Sequence, residues 1–174
     1  MHSLHQMFYH RRITRYGWVL LQALLLCSCF SGDDLKLGDK APSFEVKTLD
    51  GKPFRFIPPF KKIHIIYFWG AWCRYCEDDF QQLNKLYVKW KKEINSPHLL
   101  VINAGQSEKR IRKFLKRMKP SFPIYIDRNI KLAHRFGIRG LPTYFITDRQ
   151  GIIRHIILGW TNEEMLLNKI DKID

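Results

Sequence analysis

The sequence has few cysteines and no long apolar run. Four of its 174 residues are cysteine, and they form two close pairs, Cys27 with Cys29 and Cys73 with Cys76. No second Cys-x-x-Cys and, after residue 29, no His-x₃₋₅-His pattern occurs, so a four-ligand zinc site would lack half of its ligands. The N-terminal apolar run, residues 18–26, is interrupted only by Gln22 and is short for a membrane span. Repeats and low-complexity tracts are also absent, and a length of 174 residues leaves room for one domain.

Acidic side chains are absent from the first 28 residues. This segment carries Arg11, Arg12 and Arg15 and then the apolar run, an order typical of an export signal. We therefore expect a signal peptide at 1–28, a tether at 29–41 and one folded domain at 42–174. An uncleaved signal anchor is the alternative, because a short segment can be accommodated by thinning of the bilayer.

The end of this segment resembles a bacterial lipobox. In Leu26-Cys27-Ser28-Cys29 a leucine stands at −3 and a small residue at −1 before Cys29. The resemblance implies that Cys29 is lipidated and anchors an extracytoplasmic protein to a membrane, for which more than one acyl chain suffices. Cys27 fits less well, because bulky Leu26 would precede the cleavage site. Ordinary cleavage near Ser28 or Ser31 would instead release a soluble protein.

The chain is strongly basic, with a formal net charge of +14. The basic residues are dispersed over helix faces and loops, and no nucleic-acid-binding motif accompanies them. We therefore expect solvated faces with some attraction to anionic lipid, and no nucleic-acid partner. Prominent among these residues are two helical groups, at 85, 89, 91 and 92 and at 109, 110, 112 and 113.

Hydrophobic periodicity predicts an α/β domain with a mixed sheet. Strands alternate with helices in the first part of the domain, and a hairpin and a helix follow. Ser107 is the predicted cap of the second helix, and Thr161-x-x-Glu164 reads as a capping box for the last one. The predicted strands are 44–48, 54–56, 63–68, 98–104, 122–126, 143–147 and 152–158, and the predicted helices are 74–93, a helix between Ser107 and Pro120, 130–136 and one beginning near 161.

The pair Cys73-x-x-Cys76 lies where an apolar strand meets a helix. A helix N-terminus favours an anion and lowers the pKa of a thiol, so Cys73 is the expected nucleophile of disulfide exchange. Cys76, one turn away, can resolve a mixed disulfide. The alternatives are a structural disulfide, worth about 2 kcal/mol for so short a loop, and half of a zinc site.

Several motifs together resemble the TlpA/ResA-like group of the thioredoxin superfamily, exported thiol–disulfide oxidoreductases with an AhpC/TSA or redoxin-like domain. The resemblance covers about residues 37–173. It implies the thioredoxin fold, a central mixed sheet flanked by helices, with an N-terminal β-hairpin extension. The motifs are Gly38-Asp39-Lys40-Ala41-Pro42-x-Phe44, Thr48-Leu49-Asp50-Gly51-Lys52, Phe68-Trp69-Gly70-Ala71-Trp72-Cys73-Arg74-Tyr75-Cys76, Phe122-Pro123-Ile124, Gly137-Ile138-Arg139-Gly140-Leu141-Pro142-Thr143-Tyr144-Phe145 and Asp148-x-x-Gly151.

The resemblance also assigns roles to residues around the cysteines. Pro142 matches a cis-proline that packs beside them, and Leu141 would pair its backbone with the substrate; an ordinary proline opening a strand is the alternative. Trp72 would shield the disulfide and contact the partner, or else pack in the core. Asp79 would act catalytically by shuttling a proton and opposing thiolate formation. Alternatively, Asp79 is only one of the acidic residues near the helix N-terminus that interact favourably with the helix dipole.

The sequence departs from the family pattern near the cysteines. Tyr67 stands where cytoplasmic thioredoxins carry a buried Asp, which predicts that their proton relay is missing. Arg74-Tyr75 lacks the usual proline, and Gln81 replaces a helix-kinking one. Arg74 should favour the Cys73 thiolate and so a more oxidising couple.

The expected function is reduction of protein disulfides, by resemblance those of apocytochrome c before haem attachment. A transmembrane thiol reductase would supply the electrons. We expect no cofactor beyond the redox-active disulfide, no metal and a monomer. The alternatives are a disulfide-forming oxidant and a copper-binding metallochaperone, although His98, His134 and His155 have no motif context. A peroxidase would need Pro-x-x-x-Thr/Ser-x-x-Cys, and Ile66 and Gly70 occupy those places.

Overall fold

The centre of the molecule is a seven-stranded mixed sheet, seen in a computed structural model that describes residues 34–173. The strand order is β2-β1-β5-β4-β3-β6-β7. Strands β3, β4 and β5 run parallel, and the other neighbours pair antiparallel. The predicted mixed α/β sheet is therefore confirmed. The strands are β1 Phe44–Thr48, β2 Pro53–Phe56, β3 His64–Trp69, β4 His98–Ala104, β5 Ile124–Asp127, β6 Thr143–Thr147 and β7 Ile153–Leu158.

Both faces of the sheet are covered, which explains why β3 is buried along its whole length. Ile65, Tyr67 and Trp69 point to one face and pack with α1, α2 and α4. Ile66 and Phe68 point to the other face, beneath α3 and the β1–β2 hairpin. The helices are α1 Arg74–Trp90, α2 Glu108–Met118, α3 Lys131–Arg135 and α4 Glu163–Ile170.

The helix caps differ from the predicted ones. The capping box on Thr161 is wrong, because Asn162 is the N-cap of α4 and its side chain accepts a hydrogen bond from the Met165 amide at 2.7 Å. With that amide satisfied, the Thr161 hydroxyl is buried without a hydrogen-bond partner among residues 34–173. Ser107 does precede α2 as its N-cap, but its side chain makes no capping hydrogen bond.

The folded domain begins before residue 42, inside the predicted tether. Ala41 is buried, and its amide donates to the Gly151 carbonyl at 2.9 Å. The Gly38 amide bonds the Ile153 carbonyl at 2.9 Å, so residues 38–41 run beside β7. These contacts join residues that are distant in the chain, so local sequence patterns do not reveal them.

No helix within residues 34–173 is long and apolar enough to cross a membrane. The predicted signal peptide, Cys29 and the first part of the predicted tether lie outside the described residues.

Candidate active site

A disulfide between Cys73 and Cys76 lies at the junction of β3 and α1. Cys73 is the N-cap of α1 with an extended backbone, and its sulfur accepts a hydrogen bond from the Cys76 amide at 3.3 Å. The exposed fraction is 4% for Cys73 and 0% for Cys76. Cys73 is therefore the sulfur that a partner can reach, and the amide that faces it would stabilise a thiolate there.

The loop that leads to the disulfide is held by two polar side chains that the sequence analysis did not identify. Gln106 accepts the Ala71 amide at 2.5 Å and the Asn103 side-chain amide at 3.0 Å. Asn103 in turn accepts the Gln106 amide at 3.2 Å. Both side chains are buried at the carboxyl end of β4, beside β3. Polar residues at the end of an otherwise apolar buried strand were the available signal.

Asp79 lies one turn beyond Cys76 on α1 and is completely buried. One carboxyl oxygen accepts the Gln82 side chain at 3.3 Å, and the other has no hydrogen-bond partner among residues 34–173. Burial raises the pKa of Asp79 from 3.8 to about 6, although nearby Tyr144, Tyr67 and the Thr161 backbone oppose the rise. Residues three apart on a helix are neighbours, so this carboxyl faces the side of Cys76.

Two tyrosines close the space around Asp79 from the sheet. Tyr67 of β3 and Tyr144 of β6 are cross-strand partners whose rings lie 4.5 Å apart. Both hydroxyls are buried, and within residues 34–173 neither forms a hydrogen bond. Burial raises the pKa of each tyrosine well above 10, and Asp79 adds to the rise. A buried acid is thus present near the cysteines, but it is Asp79 of α1. It does not lie on β3, where Tyr67 stands in place of a buried Asp.

The predicted substrate-binding residues gather at the exposed side of the disulfide. The Leu141–Pro142 peptide is cis, and the loop that contains it lies next to the disulfide loop. A Cβ atom at Gly70 would lie 3.1 Å from both Leu141 and Trp72 side chains, so a glycine permits this close approach. Trp72 is 70% exposed, which excludes a role in core packing and leaves its indole free for a partner.

Two grooves meet at Trp72 and share no other lining residue. One, of about 240 Å³, is mainly apolar and includes Ile130, Ile138 and Leu141. The other, of about 440 Å³, runs along α2, and its charged lining residues are all basic. A peptide that approaches Cys73 therefore meets an apolar surface on one side and a cationic surface on the other.

The four histidines that the structure describes are not gathered at the disulfide. His64 and His98 lie 3.2 Å apart at the start of β3 and β4, the opposite end of the strands from Cys73. Burial lowers the pKa of His64 to about 4, and the His98 charge adds to the effect. His134 lines the apolar groove, and His155 lies on β7. Within residues 34–173 no group of three His, Cys, Asp or Glu side chains could hold a metal ion.

Comparisons with known proteins identify chains of similar sequence and fold. The profile of the AhpC/TSA family matches residues 37–156. The thiol-disulfide oxidoreductase ResA of Geobacillus thermodenitrificans is 31% identical over 137 residues, which are 79% of this chain and 78% of ResA. StoA from Bacillus subtilis superposes with a TM-score of 0.64 at 26% identity, covering 74% of this chain and 96% of StoA.

A further solved structure supports the fold alone. It is the putative thiol:disulfide interchange protein DsbE from Chlorobium tepidum, with a TM-score of 0.70 and 24% identity. The superposition covers 79% of this chain and 96% of that protein. The thioredoxin fold expected from the sequence is confirmed.

Proposed function

The chain belongs to the AhpC/TSA family and is a thiol–disulfide oxidoreductase, and on that premise we propose that it reduces protein disulfides outside the cytoplasm. The buried carboxyl of Asp79 beside Cys76 is the observation that carries the proposed direction.

Asp79 and Arg74 act on the thiols in opposite senses. At pH 7 most of Asp79 is ionised. Its buried charge lies about 6 Å from the Cys76 side chain. At an effective dielectric constant near 20, this charge opposes ionisation of the Cys76 thiol by about 3 kcal/mol. Arg74 is exposed, and an exposed charge contributes about 1 kcal/mol or less. The effect of Asp79 on thiol ionisation is therefore larger than that of Arg74. The dithiol remains protonated and is not stabilised by ionisation. A less stable dithiol is a stronger reductant.

Exchange begins from the reduced pair. The Cys73 thiolate attacks one sulfur of a substrate disulfide, a Cys73–substrate bond forms, and the second substrate sulfur leaves as a thiolate that takes up a proton. Cys76 then loses its proton to Asp79 and attacks Cys73. The Cys73–Cys76 disulfide forms, the remaining substrate sulfur leaves and is protonated, and two electrons have passed to the substrate.

The proposed location outside the cytoplasm rests on the sequence of the N-terminal segment. The basic stretch, the short apolar run and the lipobox-like Leu26–Cys29 support export and lipidation of Cys29. In an oxidising compartment the disulfide needs an electron supply, for which a transmembrane thiol reductase is the proposed donor. Disulfides of apocytochrome c before haem attachment are the proposed substrate. Loss of the chain from the membrane fraction in Cys29→Ser would support the anchor, and unchanged retention would contradict it.

The deciding experiment is the reduction potential of the Cys73–Cys76 couple in the full chain, equilibrated against glutathione or dithiothreitol. We expect a value near or below about −270 mV, whereas a value near −120 mV would mean an oxidant. In Asp79→Asn the potential should become less negative by up to about 60 mV, the equivalent of about 3 kcal/mol. The matched control is Asp50→Asn, an exposed carboxyl in the turn between β1 and β2, which should leave the potential unchanged.

A further inference from the structure

The basic groove beside Cys73 is formed by one stripe of α2. Arg110, Lys113 and Arg117 follow at three- and four-residue spacing, so they lie on one side of the helix. The groove also contains Trp72 and its neighbour Ala71, the two residues that precede Cys73. Whatever occupies the groove therefore lies against the loop of the reactive sulfur.

Two of the three cations have no charge partner. Arg117 forms an ion pair with Glu77 and lies over the Phe114 ring at 5.4 Å. Arg110 and Lys113 are exposed, and no ion pair or side-chain hydrogen bond occupies them within residues 34–173. The single acid of α2, Glu108, is taken by Arg112 and Arg128. The groove therefore keeps a positive potential next to the exchange site.

We propose that this groove selects substrate segments that carry acidic side chains next to the reactive cysteine. The inference rests on the proposed function, because it presumes exchange at Cys73. Acidic side chains in the groove would meet Arg110 and Lys113 while the substrate sulfur faces Cys73, and such pairing raises the rate of encounter and fixes the register of binding.

The geometry favours a peptide over a membrane surface as the occupant. An anionic bilayer is broad, and it would attract all the basic side chains of α2, including Lys109 and Lys116 outside the groove. A peptide in the groove meets only Arg110, Lys113 and Arg117. The two occupants therefore respond differently to charge changes at different positions of the same helix.

The test compares three peptides that each contain one disulfide, flanked by acidic, neutral or basic residues. The reduced full chain is mixed with each peptide, and the second-order rate of reduction is measured. We expect the acidic peptide to react about tenfold faster than the basic one, since each exposed charge pair changes a rate about two- to fivefold. Raising the salt from about 0.05 to about 0.5 M should remove most of this preference.

Charge reversal supplies the matched variants. Arg110→Glu with Lys113→Glu should abolish or invert the preference, measured as the ratio of the rates for the acidic and the basic peptide. Lys109→Glu with Lys116→Glu alters the net charge equally on the same helix and should keep the preference. An equal loss in both double variants would overturn the proposal, and so would the absence of a preference in the natural chain.

Two further readouts separate the remaining explanations. Vesicles of phosphatidylserine and phosphatidylcholine test lipid binding: if Arg110→Glu with Lys113→Glu weakens vesicle binding and leaves the peptide preference intact, the proposal is wrong. If none of the peptides reacts, including the neutral one, the proposed function itself has failed. If all react at one rate, only the substrate inference has failed.

Discussion

Replacing Asp79 by Asn should stabilise the protein at neutral and alkaline pH but not in acid. The carboxyl is completely buried, and its pKa is raised from 3.8 to about 6. A difference of this size corresponds to about 3 kcal/mol, because a tenfold change in an ionisation constant is about 1.4 kcal/mol. Asparagine has the shape of the neutral acid and carries no charge that burial would penalise.

The sign follows from proton binding in the two states. Between pH 3.8 and about 6 the folded protein holds the Asp79 proton, whereas the unfolded chain has released it. Stability contributed by this group is therefore present in acid and is lost as the pH rises through that window. Above about pH 6 the natural protein bears the full cost of the buried charge, and Asp79→Asn does not.

The assay is urea unfolding of the oxidised full chain, followed by tryptophan fluorescence at several pH values. The stability difference between Asp79→Asn and the natural chain should grow by about 3 kcal/mol between about pH 4 and about pH 8. Because only the change of this difference with pH is used, any pH-independent effect of the asparagine side chain on stability cancels. Exposed Asp50→Asn should stay within about 0.5 kcal/mol at both pH values. A pH-independent difference for Asp79→Asn would refute the reasoning.

Three further predictions concern neighbours of the disulfide. Tyr144→Phe removes a hydroxyl that lowers the pKa of Asp79, so the pH dependence of unfolding should move to higher pH; an unchanged profile would contradict this. Gln106→Ala frees the Ala71 amide and should cost about 1–3 kcal/mol in urea unfolding and slow exchange, whereas loss of stability alone would mean that the loop position is immaterial. Cys76→Ser should accumulate a mixed disulfide on Cys73 in non-reducing mass spectra, and Cys73→Ser should form none.

Local sequence patterns predicted the order of elements and the place of the cysteines. The Cys-x-x-Cys pair required only a strand followed by an amphipathic stretch, both of which are visible within about twenty residues. The position of Asp79 on the same helix side as Cys76 follows from the helical repeat. These features are determined by neighbours in the chain.

The support of the site depends on contacts between distant segments and was not predicted. The burial of Asp79 requires Tyr144 from β6 and the chain near Thr161. The link from Gln106 to Ala71 requires β3 and β4 to be adjacent. The cap of α4 was misassigned for a different reason. Asn162 and Thr161 are both acceptable N-caps, and one residue of register decides between them.

A perturbed pKa alone does not identify the active site of this protein. Burial lowers the pKa of His64 to about 4, a change as large as that in the pKa of Asp79. Yet His64 lies at the end of β3 that is far from the disulfide, and its ring forms a hydrogen bond with His98. That pair has satisfied contacts and no redox group near it. Asp79 differs because its free carboxyl oxygen faces two hydroxyls that also lack partners, one helical turn from a sulfur that must gain and lose a proton. A cost of about 3 kcal/mol is a large part of a domain's stability, and the proposed proton transfer from Cys76 would account for a carboxyl at this place.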